Sequence, residues 1–344
     1  MIERLLKERK LPDFKDKNEM IEIMLKEVYG YLPEKPESIS FSAERYEKAY
    51  CAGNATLDTV TITTKVNGKE FSFPMYASIP TNKDNIPFFV MVNFRDNVPD
   101  LYMPVEEIID SGYAVLSFCY NDVTSDDNDF TNGLAGVLYE NGERKSDTDP
   151  GKIAMWAWAA QRVMDYAETV DCLDKSRATV CGHSRLGKTA LLAGATDERF
   201  FAAYSNNSGC SGAAITRDKE GERVKEITTT FPFWFCKNYC KYSEKEYEMP
   251  FDQHYLVASI FPRRVYITSA TKDIWACPIS EFLTAVKVSE YYEKNGLPAL
   301  KHKDRFPEAG EIYHDGYVGY HLREGLHYMG RYDWQKAIEY LNKQ

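Results

Sequence analysis

Between Ala178 and Ala195 the chain runs from a short apolar stretch, Ala178-Thr-Val-Cys, through Gly182-His-Ser184 and directly into an Ala- and Leu-rich segment. A buried strand that turns straight into a helix needs a bend without a side-chain clash, which Gly182 supplies. The turn also leaves the first N–H groups of the helix unpaired beside Ser184, where developing negative charge is stabilised. The Ser hydroxyl is thereby held out at a strand end, as in a nucleophile elbow. That motif usually has Gly two residues after the Ser; here Leu186 takes that place and Gly187 follows.

The rest of the chain supplies what such a turn needs around it. Thr59–Val66 and Phe71–Ala77 alternate in strand fashion about Asn67-Gly68, a strong hairpin signal. Phe88–Val92, Ala114–Phe118, Phe201–Ser205, Arg264–Ser269 and Val318–His321 read as further strands. Helical spacing marks Lys152–Thr169, Leu186–Ala195, 278–295 and 332–342. This alternation predicts an α/β fold, with a mostly parallel central sheet, helices on both faces and an antiparallel N-terminal entry. Residues 1–55 read as a helix and loop extension packed on the core, and 56–344 as one domain. Residues 209–262 break the alternation and read as an insertion over the strand ends, where such sheets bind ligands.

A Ser hydroxyl at its ordinary pKa is a weak nucleophile and needs a base oriented by a carboxylate. In the α/β-hydrolase fold the acid follows a late strand, and the His lies between the last strand and the last helix. Of the six His, only His327 has that place. His183 adjoins the nucleophile and is expected to point away as packing. Asp273 stands in the loop after Arg264–Ser269. The order Ser184, Asp273, His327 is the α/β-hydrolase order.

Composition narrows the partners. Lys and Arg total 42 against 52 Asp and Glu, a net charge of −10. Such a surface repels phosphate backbones and anionic lipid, so neither nucleic acid nor membrane is expected as a partner. No run approaches the roughly 18 apolar residues of a membrane span. The eight Cys are scattered in a chain long enough to need no staples, so free thiols are expected and no metal is assigned. No cofactor is called for. The first ten residues lack the apolar segment of a secretory signal, which points to the cytoplasm or to a start beyond a removed signal. Oligomeric state is not legible.

Gly182-His-Ser-Arg-Leu-Gly-Lys188 resembles the Gly-Cys/His-Ser-Arg-x-Gly-Lys signature of the glucuronoyl esterases, carbohydrate esterase family 15. Asn206–Ala214, Phe231–Phe235, Phe251–His254, Pro262–Tyr266 and Gly319–His321 are similar to its bacterial members, so the likeness runs over roughly residues 75 to 340. The resemblance implies cleavage of the ester between a 4-O-methylglucuronate carboxyl on xylan and a lignin alcohol. It implies Ser184 as nucleophile, His327 as base and Arg185 as oxyanion partner, with Lys188, Trp275 and Glu222 toward the sugar. Gln253 stands in the same insertion as a further sugar contact. Two departures stand out. Fungal members carry a Glu acid where this chain has Asn207, which leaves the acid role to Asp273. They also join the elbow to the His loop by a disulfide, whereas His183 and Tyr328 stand here, so a less rigid His loop is expected. A polysaccharide acetyl or feruloyl esterase, or a non-catalytic carbohydrate-binding relative, are the alternatives.

Overall fold

The computed structural model describes residues 1–343. Ten strands form one sheet: β1 (Ser38–Tyr50), β2 (Ala55–Val66), β3 (Lys69–Pro80), β4 (Ile86–Asn93), β5 (Ala114–Cys119), β6 (Leu173–His183), β7 (Ala202–Asn206), β8 (Arg264–Ala270), β9 (Ile312–Tyr313) and β10 (Val318–Arg323). Their order is β1-β2-β3-β5-β4-β6-β7-β8-β10-β9. The first pairings, through β3 on β5, are antiparallel. From β5 to β10 the strands are parallel, and β9 closes the far edge antiparallel. The hairpin falls at Asn67 and Gly68, whose φ values of 50° and 72° match the mirror-image turn that a right-twisted hairpin favours.

The central strands are buried on both sides, and the two-residue period of a strand sorts them between two cores. Phe88, Val90 and Val92 of β4 enter the larger core, while Phe89 and Met91 enter the smaller one on the opposite face. The principal helices are α1 (Ile2–Glu8), α2 (Lys17–Met24), α3 (Lys152–Ala167), α4 (Arg185–Thr196), α5 (Pro278–Lys294) and α6 (Arg331–Asn342). Side chains of α3, α4 and α5 fill the larger core; Trp334 and Tyr340 of α6 pack into the smaller. Ile2, Met20 and Met24 anchor the N-terminal helices to the larger core. Among the described residues no helix is long and apolar enough to cross a membrane.

The sheet begins earlier than the patterning indicates. Strand β1 lies inside the segment expected as helix and loop, paired from Ser38 opposite Lys65 onward. It is an edge strand, largely exposed along its length. Only Ile39 and Phe41 at its start pack toward the larger core, and the residues from Ser42 to Lys48 are exposed, so the apolar alternation is too short to mark a strand. Between β7 and β8 the chain forms short helical segments, including Val224–Thr230 and His254–Ala258. All eight Cys are free.

Candidate active site

Ser184 sits between the end of β6 and the start of α4, at φ 59° and ψ −126°. This is a left-handed backbone that a non-glycine residue adopts only under constraint. The constraint is local: Ser184 N–H donates to Asn206 O (2.8 Å), and Ser184 O accepts from Gly187 N–H (2.9 Å) and Lys188 N–H (3.2 Å). A Cβ at Gly182 would lie 2.3 Å from Leu186 O, so helix and strand approach closer than any side chain permits. Leu186 in place of the usual Gly is accommodated in the buried core.

His327 and Asp273 meet as their chain order requires. His327 Nδ1–H donates to Asp273 Oδ2 at 2.6 Å, and Asn207 Nδ2 donates to the same oxygen at 2.7 Å. Burial alone would raise the Asp273 pKa, but these bonds, the His327 charge and Ala276 N–H together hold it below the usual carboxylate value. Asn207 therefore takes the acid's place in the fungal pattern as a donor to the acid. Among the described residues Ser184 Oγ makes no hydrogen bond to the His327 ring; both face one cavity of about 340 Å³. Such contacts are commonly long in a free enzyme.

The residues selected from sequence as catalytic, oxyanion or sugar groups (Ser184, His327, Asp273, Arg185, Lys188, Trp275 and Glu222) all line that cavity. Arg185 is ion-paired with Asp126. Asp126 also accepts from Trp234 Nε1 (2.6 Å) and the Tyr120 hydroxyl (2.9 Å). The guanidinium lies 4.7 Å from the Trp234 ring centre, and Trp234 stacks on Phe231 at 3.9 Å. One fixed cation is thus held by a carboxylate and an aromatic face. Asp126 and Tyr120 escaped the sequence reading, and Trp234 entered it only within Phe231–Phe235 with no role, because Asp126 lies 59 residues before Arg185 and Trp234 lies 49 after it. The acidic run Asp126-Asp-Asn-Asp resembles any solvated loop.

Lys188, one helical turn beyond Ser184, is buried rather than solvated, and its ammonium donates to Ser208 O. Burial lowers its pKa, while Glu222 opposes the shift. Trp275 is not core packing: it is 59% exposed. Gly221, at φ 72°, lets the chain carrying Glu222 lie against the Trp275 backbone, where a Cβ would fall 2.6 Å from Trp275 O. Gln253 does not line the cavity and is fully buried elsewhere; spacing within an irregular insertion does not reveal which way a side chain faces.

His183 requires a correction. It is buried as expected, but it packs onto the site rather than away from it, its ring 4.4 Å from that of His327. Nδ1–H donates to Asn206 Oδ1 (2.6 Å), and burial lowers the pKa to about 3, so the ring is neutral. Tyr102 then lies between His183 (4.9 Å) and Tyr328 (5.2 Å). An aromatic clasp occupies the two positions where the fungal pattern has a disulfide.

A mostly parallel sheet with a Ser on a strained strand-to-helix turn, and an Asp–His pair from the two later loops, defines an α/β-hydrolase. The sequence pattern of the family described as "Glucuronyl esterase, fungi" matches residues 62–296. Carbohydrate esterase MZ0003, from an unknown prokaryotic organism, is 42% identical over 241 residues, 69% of this chain and 54% of that protein. The 4-O-methyl-glucuronoyl methylesterase of Podospora anserina is 27% identical over 277 residues, 77% of this chain and 52% of its own. This chain spans about half the length of these curated relatives. A glucuronoyl esterase from Solibacter usitatus superposes with a TM-score of 0.85 at 31% identity, over 95% of this chain and 92% of that one. A promiscuous CE15 esterase from a marine bacterial metagenome does so at 0.85 and 32%, over 95% and 91%. The chain belongs to the glucuronoyl esterase family.

Proposed function

We propose that this chain hydrolyses carboxylic esters of glucuronic acid, including its 4-O-methyl form, by a Ser–His–Asp mechanism. The observation that carries the reading is the meeting, in one cavity, of the Asp273–His327 pair and Ser184 with the buried Lys188 and Glu222. His327 takes the Ser184 proton as Oγ attacks the ester carbonyl, and Asp273 holds the imidazole and stabilises its charged form. Arg185 supplies a fixed cation, and the N–H groups at the start of α4 supply dipoles, for the tetrahedral oxyanion. His327 then returns the proton to the departing alcohol, and water releases the uronate from Ser184. Lys188 donates and Glu222 accepts, a pairing suited to adjacent sugar hydroxyls, and Trp275 offers a ring face at the cavity mouth. The names of the fungal relatives, 4-O-methyl-glucuronoyl methylesterases, support the uronate as the acyl half.

The test is hydrolysis of benzyl glucuronate beside p-nitrophenyl acetate, by wild type and Ser184→Ala. Preference for the glucuronate ester, abolished in the variant, is expected. Preference for the acetate would keep the serine mechanism and discard the uronate. Undiminished activity in Ser184→Ala would discard the nucleophile.

A further inference from the structure

We infer that Arg323 is the positioning residue of the loop that carries His327, and that Asp333 holds it in that role; this rests on the reading of His327 as the base. Arg323 is the last residue of β10, and the loop returns at Gly330 to the start of α6. The Asp333 carboxylate, in the first turn of α6, is a buried hub between them. It accepts from Arg323 Nε (2.9 and 3.0 Å), His321 Nε2–H (3.0 Å) and Gly330 N–H (2.9 Å). With Nε committed to Asp333, the other guanidinium nitrogens turn to the loop. Nη1 donates to Glu324 O (3.2 Å), and Nη2 donates to Leu326 O (3.0 Å) and to Tyr328 O. Those last two carbonyls stand on either side of His327.

This contact has no substitute in the loop backbone. Earlier residues are tied to the loop that carries Asp273, through Thr271 N–H to Arg323 O (2.9 Å) and Lys272 N–H to Gly325 O (2.9 Å). From Leu326 to Tyr328, among the described residues, the backbone's hydrogen bonds are those made by Arg323. A planar fork of fixed geometry suits this task, since it can meet a carboxylate on one edge and carbonyls on another.

The hub is fixed from behind as well. His321 is fully buried, and burial lowers its pKa, so it is neutral. Donating from Nε2 leaves Nδ1 to accept from the Tyr266 hydroxyl (2.8 Å), which in turn accepts from His314 Nε2–H (2.7 Å). With the donors so directed, His314, Tyr266 and His321 form a buried relay that backs the Asp333 carboxylate.

The test compares wild type, Arg323→Ala, Arg323→Lys and His327→Ala on benzyl glucuronate. Fluorophosphonate labelling of Ser184 and Tm are measured in parallel. Lys can meet Asp333 but cannot span both carbonyls, so it separates loop positioning from simple charge pairing. Since a misplacement of about 1 Å costs on the order of 10²-fold, kcat is expected to fall about tenfold to a hundredfold in both Arg323 variants. KM should stay within about twofold, because Lys188, Glu222 and Trp275 are untouched, and the labelling rate should fall with kcat. Millimolar guanidinium should restore Arg323→Ala severalfold while leaving wild type unchanged. Wild-type kcat and labelling in Arg323→Lys, whatever its Tm, would overturn the inference even if Arg323→Ala fails to fold. Full activity in His327→Ala would instead overturn the base assignment beneath it.

Discussion

Replacing Asp273 by Asn removes one charge and inverts a set of donors, and the two effects can be sized separately. When His327 takes the Ser184 proton, its new charge faces a carboxylate bonded at 2.6 Å. Unit charges about 4 Å apart interact by about 4 kcal/mol at an effective dielectric of 20 and by about 1 in bulk water. Asp273 is buried, but the His327 side chain is 43% exposed, so about 2–3 kcal/mol is a fair share. The second loss comes from the tautomer. In Asp273→Asn, an amide that turns its NH2 toward His327 Nδ1 and Asn207 gains two acceptors once the Asn207 amide turns over, because among the described residues Asn207 Oδ1 has no partner in the wild type to give up. The amide oxygen then receives Ala276 N–H, the site occupied in the wild type by Asp273 Oδ1 at 3.4 Å. His327 is thereby held with its proton on Nε2, facing Ser184, where it cannot act as a base. Restoring the productive tautomer breaks two neutral hydrogen bonds at about 1 kcal/mol each and sets two N–H groups against each other. The total of about 5 kcal/mol corresponds to about 10⁴-fold in kcat, close to the loss in the serine-protease triad. Steady-state kinetics on benzyl glucuronate, with Tm unchanged within a few degrees, measures it. A loss smaller than about tenfold would refute both the acid assignment and the tautomer argument.

Two further outcomes follow from strain and from burial. Ser184→Gly should melt higher than Ser184→Ala by a degree or two, because both lack the nucleophile but only Gly relieves a left-handed backbone holding about 1–3 kcal/mol; equal or lower Tm would show that the elbow is unstrained. Burial raises the Glu281 pKa from 4.5 to about 7, partly opposed by bonds from Ser269 Oγ (2.6 Å) and Gly209 N–H (2.9 Å). The unfolded chain then releases this proton first, so stability falls by about 3 kcal/mol as pH rises from about 4.5 to about 7 and is level above. Melting curves across that window should show this slope in wild type and not in Glu281→Gln; parallel curves would place the Glu281 pKa near its ordinary value.

What the sequence made legible is what is encoded locally or by chain order. The elbow was readable because Gly182, Ser184 and the Ala/Leu run are contiguous, and the sheet because doubly buried strands such as β4 are apolar without interruption. Asp273 and His327 came from order alone. What escaped joins distant positions. Asp126 and Trp234 around Arg185, and the Asp333 hub behind His327, are residues whose partners lie on other elements. No periodicity marks them. Strand β1 escaped for the opposite reason: its pairing is backbone, and beyond Ile39 and Phe41 its side chains are largely exposed. His183 misled because adjacency to Ser184 suggested an opposed side chain. The left-handed turn at Ser184 breaks the strand's alternation, and so the ring of His183 comes to lie beside that of His327 instead.

The departures from the fungal pattern are compensated at the same places in space. An acid supplied from the end of β7 and one supplied from the loop after β8 can serve one imidazole because these strands are neighbours. Asn207 N–H in fact donates to Thr268 O (2.8 Å) across that pair. Asn207 Nδ2 then touches the very oxygen that His327 uses. A second carboxylate there would place two like charges about 3 Å apart and force them to share a proton. Asn at 207 is therefore what an acid at 273 calls for. The missing disulfide follows the same logic. A covalent tie would fix Tyr328 through its side chain, whereas here Tyr102 meets the ring of Tyr328 and Arg323 meets its carbonyl, so the loop is held from two directions without a bond that reduction could open.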